Sequence, residues 1–341
     1  MFQQCRLLKA QLFVLSILVW VPTGIAQIAP DPRLVEAAKK EAEVIWYTTL
    51  TLDMSKEVMD RFHKKYPFIK PTLYRTAGGP LLNRILSEAR TGGRTWDVAV
   101  GPGLMVVPLM ERKLLATYRS PEASMIYDEL ADKDGYWASF YALSFVLGYN
   151  TKLLKKEDLP KTYEDLLQPK WKGSQISLDV EAYEMLQGLI AAWGKSKAIS
   201  YFKRLAAQQP IVQRGSTHRA TLAAAGEFPL VMAFNQTCQR MIMRGAPIDW
   251  VPLEPAVVRV NPTVLAANAP HPNAAKLFID FVLSREGQQM MQAFGGVPVR
   301  KDVEPDPPRL FRGYKWVIAH PRDYKNYEEI VKLYNEIFSI Q

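Results

Sequence analysis

A chain of 341 residues is too long for one ordinary core, and its hydrophobic and charged shares, 48% and 23%, are those of a folded globular protein. The formal charge is +9. The basic residues are scattered, often beside acids, as in Lys39-Lys40-Glu41 and Lys155-Lys156-Glu157-Asp158, so no basic stripe offers itself to nucleic acid. A protein that gathers anions fits this balance, and so does a plain basic surface.

The first 26 residues stand apart. Arg6 and Lys9 precede an apolar run over 12–21, and Gly24-Ile25-Ala26 is a small-x-small cleavage signal. The run is short for a bilayer span, so a cleavable export signal with cleavage after Ala26 is expected, a single membrane anchor being the alternative. Cys5 leaves with that leader. Cys238 then has no partner for an internal disulfide and reads as a small buried hydrophobe.

A helix is expected over 31–42, with Asp31 as cap and Pro32 at the first position. Val44-Ile45-Trp46-Tyr47 reads as a buried strand, leaving through Thr48-Thr49-Leu50-Thr51. A helix runs to Lys65, and a second strand over 70–74 ends at Arg75-Thr76-Ala77-Gly78-Gly79-Pro80. A helix over 81–89 follows, then a third strand, Trp96-Asp97-Val98-Ala99-Val100. This β-α-β-α-β order implies parallel strands whose exit loops share one sheet edge, where open α/β sheets bind ligands. The apolar stretch over 142–154 lacks proline and reads as a strand crossing into a second lobe, with a turn at Asn150-Thr151-Lys152.

The second lobe repeats the alternation. Strands end at Asp179, at Arg214-Gly215-Ser216-Thr217 and at Asn235-Gln236. The extended, proline-bearing segment over 253–262 is the expected return crossing, with Thr263-Val264-Leu265 rejoining the first sheet. The expected organisation is a first lobe over 27–144 and 256–310, a second over 145–255, and an extension over 311–341 with an amphipathic helix at 327–338. Two crossings make a hinge near Ser144-Phe145 and Leu253-Pro255, and a hinge between lobes makes a cleft.

Several segments together resemble the solute-binding proteins of ABC importers, in the type 2 periplasmic-binding class. They include the start over 36–44 with its Tyr47-Thr48-Thr49 exit, Trp96-Asp97-Val98, Pro169-Lys170-Trp171-Lys172-Gly173, and Ala266-Ala267-Asn268-Ala269-Pro270-His271-Pro272 running on through Phe281 to Ser284-Arg285-Glu286-Gly287. The resemblance spans roughly residues 34–300. It implies a two-lobed α/β fold, a periplasmic location, an inner-membrane permease as partner and a monomeric receptor without cofactor. The ferric-iron branch is similar too. That branch holds its metal with adjacent tyrosines at a second-lobe strand exit and a histidine near the first. Asn235 and Gln236 stand at the former place here, and Tyr47-Thr48-Thr49 at the latter, which removes hard anionic and imidazole ligands.

The exit loops offer Tyr47, Thr48, Thr49, Arg75, Thr76, Gly78 and Gly79 from the first lobe. The second offers Asp179, Arg214, Ser216, Thr217, Asn235 and Gln236. Hydroxyls, amides and two guanidiniums beside helix starts suit a small organic anion, a carboxylate or a phosphorylated or phosphonate compound, with no metal called for. The same residue types also serve as helix caps, turn glycines, core tyrosines and surface ion pairs. Ferric ion, alone or with a synergistic anion, is the alternative ligand, and a sensor module the alternative role. An enzyme is disfavoured: there is no G-x-S-x-G, no H-E-x-x-H and no P-loop, and the four histidines have no metal spacing.

Overall fold

The computed structural model describes residues 28–324 and 327–340. The expected export signal lies outside the described residues. In chain order the first series is α1 (Pro32–Glu41), β1 (Glu43–Thr48), α2 (Leu52–Lys65), β2 (Lys70–Arg75), α3 (Gly78–Arg90), β3 (Val98–Val100), α4 (Val106–Glu111) and β4 (Leu115–Ala116). The long strand β5 (Ala138–Asn150) leads to β6 (Ile176–Asp179), α5 (Tyr183–Trp193), α6 (Lys195–Ala207), β7 (Ile211–Gln213), α7 (Ser216–Ala225), β8 (Leu230–Phe234), α8 (Asn235–Met243) and β9 (Ile248–Val251). The chain returns through β10 (Ala256–Ala266) to α9 (Pro272–Leu283) and α10 (Arg285–Ala293), and ends with β11 (Trp316–Ala319) and α11 (Tyr327–Phe338).

Local chemistry sets these elements. Asp31 Oδ1 accepts the Arg33 N–H at 2.9 Å, and Pro32 opens α1. β1 pairs in parallel with both β2 and β3, as the β-α-β-α-β order requires. α3 starts at Gly78, three residues before the sequence expectation, because Gly78 lets the helix press on Pro102: a Cβ there would lie 2.7 Å from Pro102 Cγ.

β5 is buried at all thirteen positions and begins at Ala138, four residues earlier than expected. Its early start comes from pairing, since Ala138 and Ser139 lie opposite Thr263 and Pro262 of β10. Up to Ser144 the strand pairs with β10. From Phe145 onward it pairs with β8, and from Leu147 with β9 as well. One strand thus changes partners between Ser144 and Phe145, and that is the hinge. Asn150 ends it with a side-chain turn, accepting the Lys152 N–H at 2.8 Å. β10 comes back, pairing with β3 at Thr263, Val264 and Leu265.

The first lobe's core packs Trp46 against Phe278 with the rings tilted at 49°, and Phe62 meets Phe278 edge-on at 5.0 Å. The second gathers Leu178, Leu186, Phe202 and Leu230. The tail joins this second core: β11 adds to β10 in parallel, and Ile330 and Tyr334 of α11 bury against α5 and α6. Tyr334 donates to the Asp179 carbonyl at 2.7 Å. Cys238 is fully buried, and burial pushes its thiol up to about 12, so it stays neutral and unreactive.

Candidate functional site

The exit loops of β1, β2, β6, β7 and β8 converge on a cavity of about 330 Å³ between the lobes. Thr49, Arg75, Thr76 and Gly78 line it from the first lobe. Asp179, Arg214, Ser216, Thr217 and Gln236 line it from the second.

Four of the sequence candidates do not line it. Tyr47 follows the strand alternation away from the cleft: its ring packs on Tyr74 at 4.8 Å and its hydroxyl donates to Glu88. Thr48 is buried and folds the exit loop by accepting the Leu50 N–H at 3.1 Å. Gly79 sits in the first turn of α3, where a Cβ would lie 3.2 Å from Glu181 Oε1 of the opposite lobe. Asn235 is fully buried and braces the hinge. Its Oδ1 accepts the Ser144 N–H at 3.1 Å and its Nδ2 donates to the Leu310 carbonyl at 2.7 Å.

The second lobe's wall is bonded largely to itself. Asp179 Oδ1 accepts the Glu181 N–H, and Oδ2 accepts both the Gly215 N–H and Arg219 Nη2, the last at 2.9 Å. Arg219 also donates to the Met232 carbonyl at 2.6 Å. Arg214 pairs with Glu181. Ser216 Oγ donates to Thr237 and accepts the Phe234 N–H. Gln236 reaches across to Met54, with Nε2 3.7 Å from the sulfur. Arg240 of α8 also spans the lobes, pairing with Asp53 and donating to Thr51 at 3.1 Å.

Of the five arginines lining the cavity, Arg75 and Arg259 have no carboxylate at hydrogen-bonding distance among the described residues. Arg75 donates Nε to the Leu50 carbonyl at 2.7 Å. Arg259 of β10 lies over the Phe234 ring at 5.0 Å and donates Nη2 to Asn261 at 3.2 Å. Its Nε stands 3.6 Å from Glu184 Oε1, too far for a hydrogen bond. Tyr141 joins them: burial pushes its phenol up, against the pull of Arg259, Thr49 and Arg75. The buried Thr49 hydroxyl lies beside the Tyr141 phenol. Arg75, Arg259, Tyr141 and Thr49 thus bring two guanidiniums and two hydroxyl-bearing side chains to one cavity.

Reading exit loops alone missed Arg259, Tyr141, Glu181, Arg219 and Arg240. Arg259 did leave a signal, a lone charge between Val258 and Val260 in a crossing strand. No cluster of three or more His, Cys, Asp or Glu suited to a metal ion occurs among the described residues. Among them, too, no helix is long and apolar enough to cross a membrane.

The family profile described as "Bacterial extracellular solute-binding protein" matches residues 107–316. "Iron uptake protein A1" of Synechocystis sp. is 24% identical over 302 residues, covering 81% of this chain and 82% of its own. "Fe(3+)-binding periplasmic protein" of Serratia marcescens is 22% identical over 269 residues, covering 75% and 78%. Among solved structures, the periplasmic binding protein AfuA from Actinobacillus pleuropneumoniae, with exogenous fructose-6-phosphate bound, superposes with a TM-score of 0.79 at 24% identity, covering 88% of this chain and 99% of that one. Iron-bound HitA from Pseudomonas aeruginosa gives 0.77 at 21% identity, covering 87% and 99%. At these identities the structures establish the two-lobed fold.

Proposed function

As this chain belongs to the bacterial extracellular solute-binding proteins, which are transport components and not enzymes, we propose that it captures a small organic anion in the interlobe cleft and delivers it to an ABC permease. The observation that carries this reading is the pair Arg75 and Arg259. Both face one cavity; Arg75 bonds only to a backbone carbonyl, and Arg259 meets one carboxylate, Glu184, at 3.6 Å, so the pair keeps a net positive charge. Arg75 belongs to the first lobe and Arg259 to the hinge strand, while Phe234, Ser216 and Gln236 close the cavity from the second. A ligand that touches both walls stabilises the closed form, and that form is the one to dock on the permease. Phosphorylated sugars belong to the expected class, as the fructose-6-phosphate held by the Actinobacillus protein illustrates.

Ferric ion is the second reading, favoured by the names of the Synechocystis and Serratia relatives. Against it stand the neutral amide Gln236 in the cleft and Asn235 turned into the hinge. A thermal-shift panel separates the two: ferric ion with and without citrate, carboxylates, phosphonates, sugar phosphates and polyamines. A ligand at a hundred times its dissociation constant adds about 2.7 kcal/mol, roughly a few degrees for a protein of this size. The expected result is a shift with an organic anion in the absence of iron. A shift with ferric ion alone would refute the anion reading.

A further inference from the structure

This inference rests on the anion reading of the cleft and concerns a residue behind it. Glu184 lies in the first turn of α5, 1% exposed. Its Oε1 and the Arg259 Nε face each other at 3.6 Å, and neither atom has a hydrogen-bond partner among the described residues. Gly188, one turn further on, permits this approach: a Cβ there would fall 2.4 Å from Val257 Cγ1, so only glycine lets α5 lie so close to β10.

The other charged and titratable groups around Glu184 are Asp179 and Glu181 at the exit of β6, Tyr183 on its own helix and Tyr327 of α11. Asp179 and Glu181 are engaged with Arg219 and Arg214. Arg259 is the cation that opposes the charge of Glu184, while burial pushes its carboxyl up. An anion arriving on Arg259 places a second negative charge against the same guanidinium. In a water-poor site the two charges repel strongly, and protonation of the buried carboxylate removes one of them.

We propose that Glu184 sets the charge preference of the cleft, taking a proton from solvent when a dianion settles on Arg259. With Glu184 ionised, the seat of Arg75 and Arg259 offers one net positive charge. With Glu184 neutral it offers two, matched to a sulfate- or phosphate-type dianion over a monocarboxylate. Affinity for a dianion of fixed charge therefore rises as pH falls through the titration of Glu184, because the complex binds more protons than the free protein.

The test is calorimetric titration with inorganic sulfate from about pH 8 down to about pH 5, where sulfate keeps its charge. It uses the full mature chain carrying His218→Asn, which removes the imidazole lining the same cleft. Wild-type Glu184 is expected to bind sulfate more tightly as pH falls, with proton uptake visible as a buffer-dependent heat. Glu184→Gln is expected to bind about tenfold tighter at pH 8 and to show no such uptake, equivalent to about one unit of pKa coupling. Affinity independent of pH and equal in the two proteins overturns the proposal, as does a folded Glu184→Gln that binds more weakly at every pH. If Glu184→Gln does not fold, the heat measured with Glu184 in place in two buffers still decides, since absence of proton uptake overturns the proposal. No sulfate binding by either protein at any pH refutes the anion seat itself, and this inference with it.

Discussion

The two walls of the cleft carry similar residue types and use them oppositely. On the second lobe, Asp179, Arg219, Arg214, Glu181 and Ser216 bond to one another and to the backbone, so most of their hydrogen-bonding capacity is spent holding the β6, β7 and β8 exits in place. On the first lobe and the hinge, Arg75 and Arg259 line the cavity with part of their guanidinium donors unspent, beside Tyr141 and Thr49. A charged residue at a strand exit is thus not evidence of ligand contact until its partners are counted.

The largest effect is expected on the open wall. Arg259→Ala should weaken binding of the captured anion by about 2–5 kcal/mol, some thirtyfold to several thousandfold, read by titration calorimetry, and should also lower the melting temperature of the free protein, because the buried Glu184 loses its cation. On the satisfied wall stability suffers and affinity does not. Asp179→Asn sets an amide N–H against the buried Arg219 and should cost about 3 kcal/mol of stability in denaturant unfolding, while the folded protein keeps its affinity within a few-fold. Gly188→Ala tests the contact that positions α5, and should cost about 1–3 kcal/mol through overpacking against Val257. The smallest effect belongs to Arg214→Ala. The Arg214 side chain is 57% exposed, so losing its pair with Glu181 should alter stability and affinity by less than about 1 kcal/mol. A large loss of affinity there would erase the contrast between the walls.

The sequence made the frame legible and the site only partly so. β5 announced itself as a mainly apolar run without proline, and its change of partner falls between Ser144 and Phe145, where the two-lobed reading put one of two crossings. The return of Thr263-Val264-Leu265 to the first sheet was equally readable. Exit loops located the cavity, because a parallel sheet puts every strand exit on one edge. Which way each side chain turns was not readable. Tyr47 and Thr48 sit at an exit yet point into packed regions, and Asn235 spends its amide on the hinge. Arg259 was overlooked because the search was confined to loops, while β10 places it on the cleft-facing side of a crossing strand. The tail's docking on the second lobe depended on shape: α11 is amphipathic, but nothing in its pattern says which lobe supplies the matching face.

The most direct measurement is calorimetric titration of the anion that gives the largest thermal shift, into the mature wild-type chain and into Arg75→Ala/Arg259→Ala. The account predicts one site per chain in the wild type and no measurable heat of binding in the folded double variant. Undiminished binding by that variant would place the ligand elsewhere and contradict the central claim.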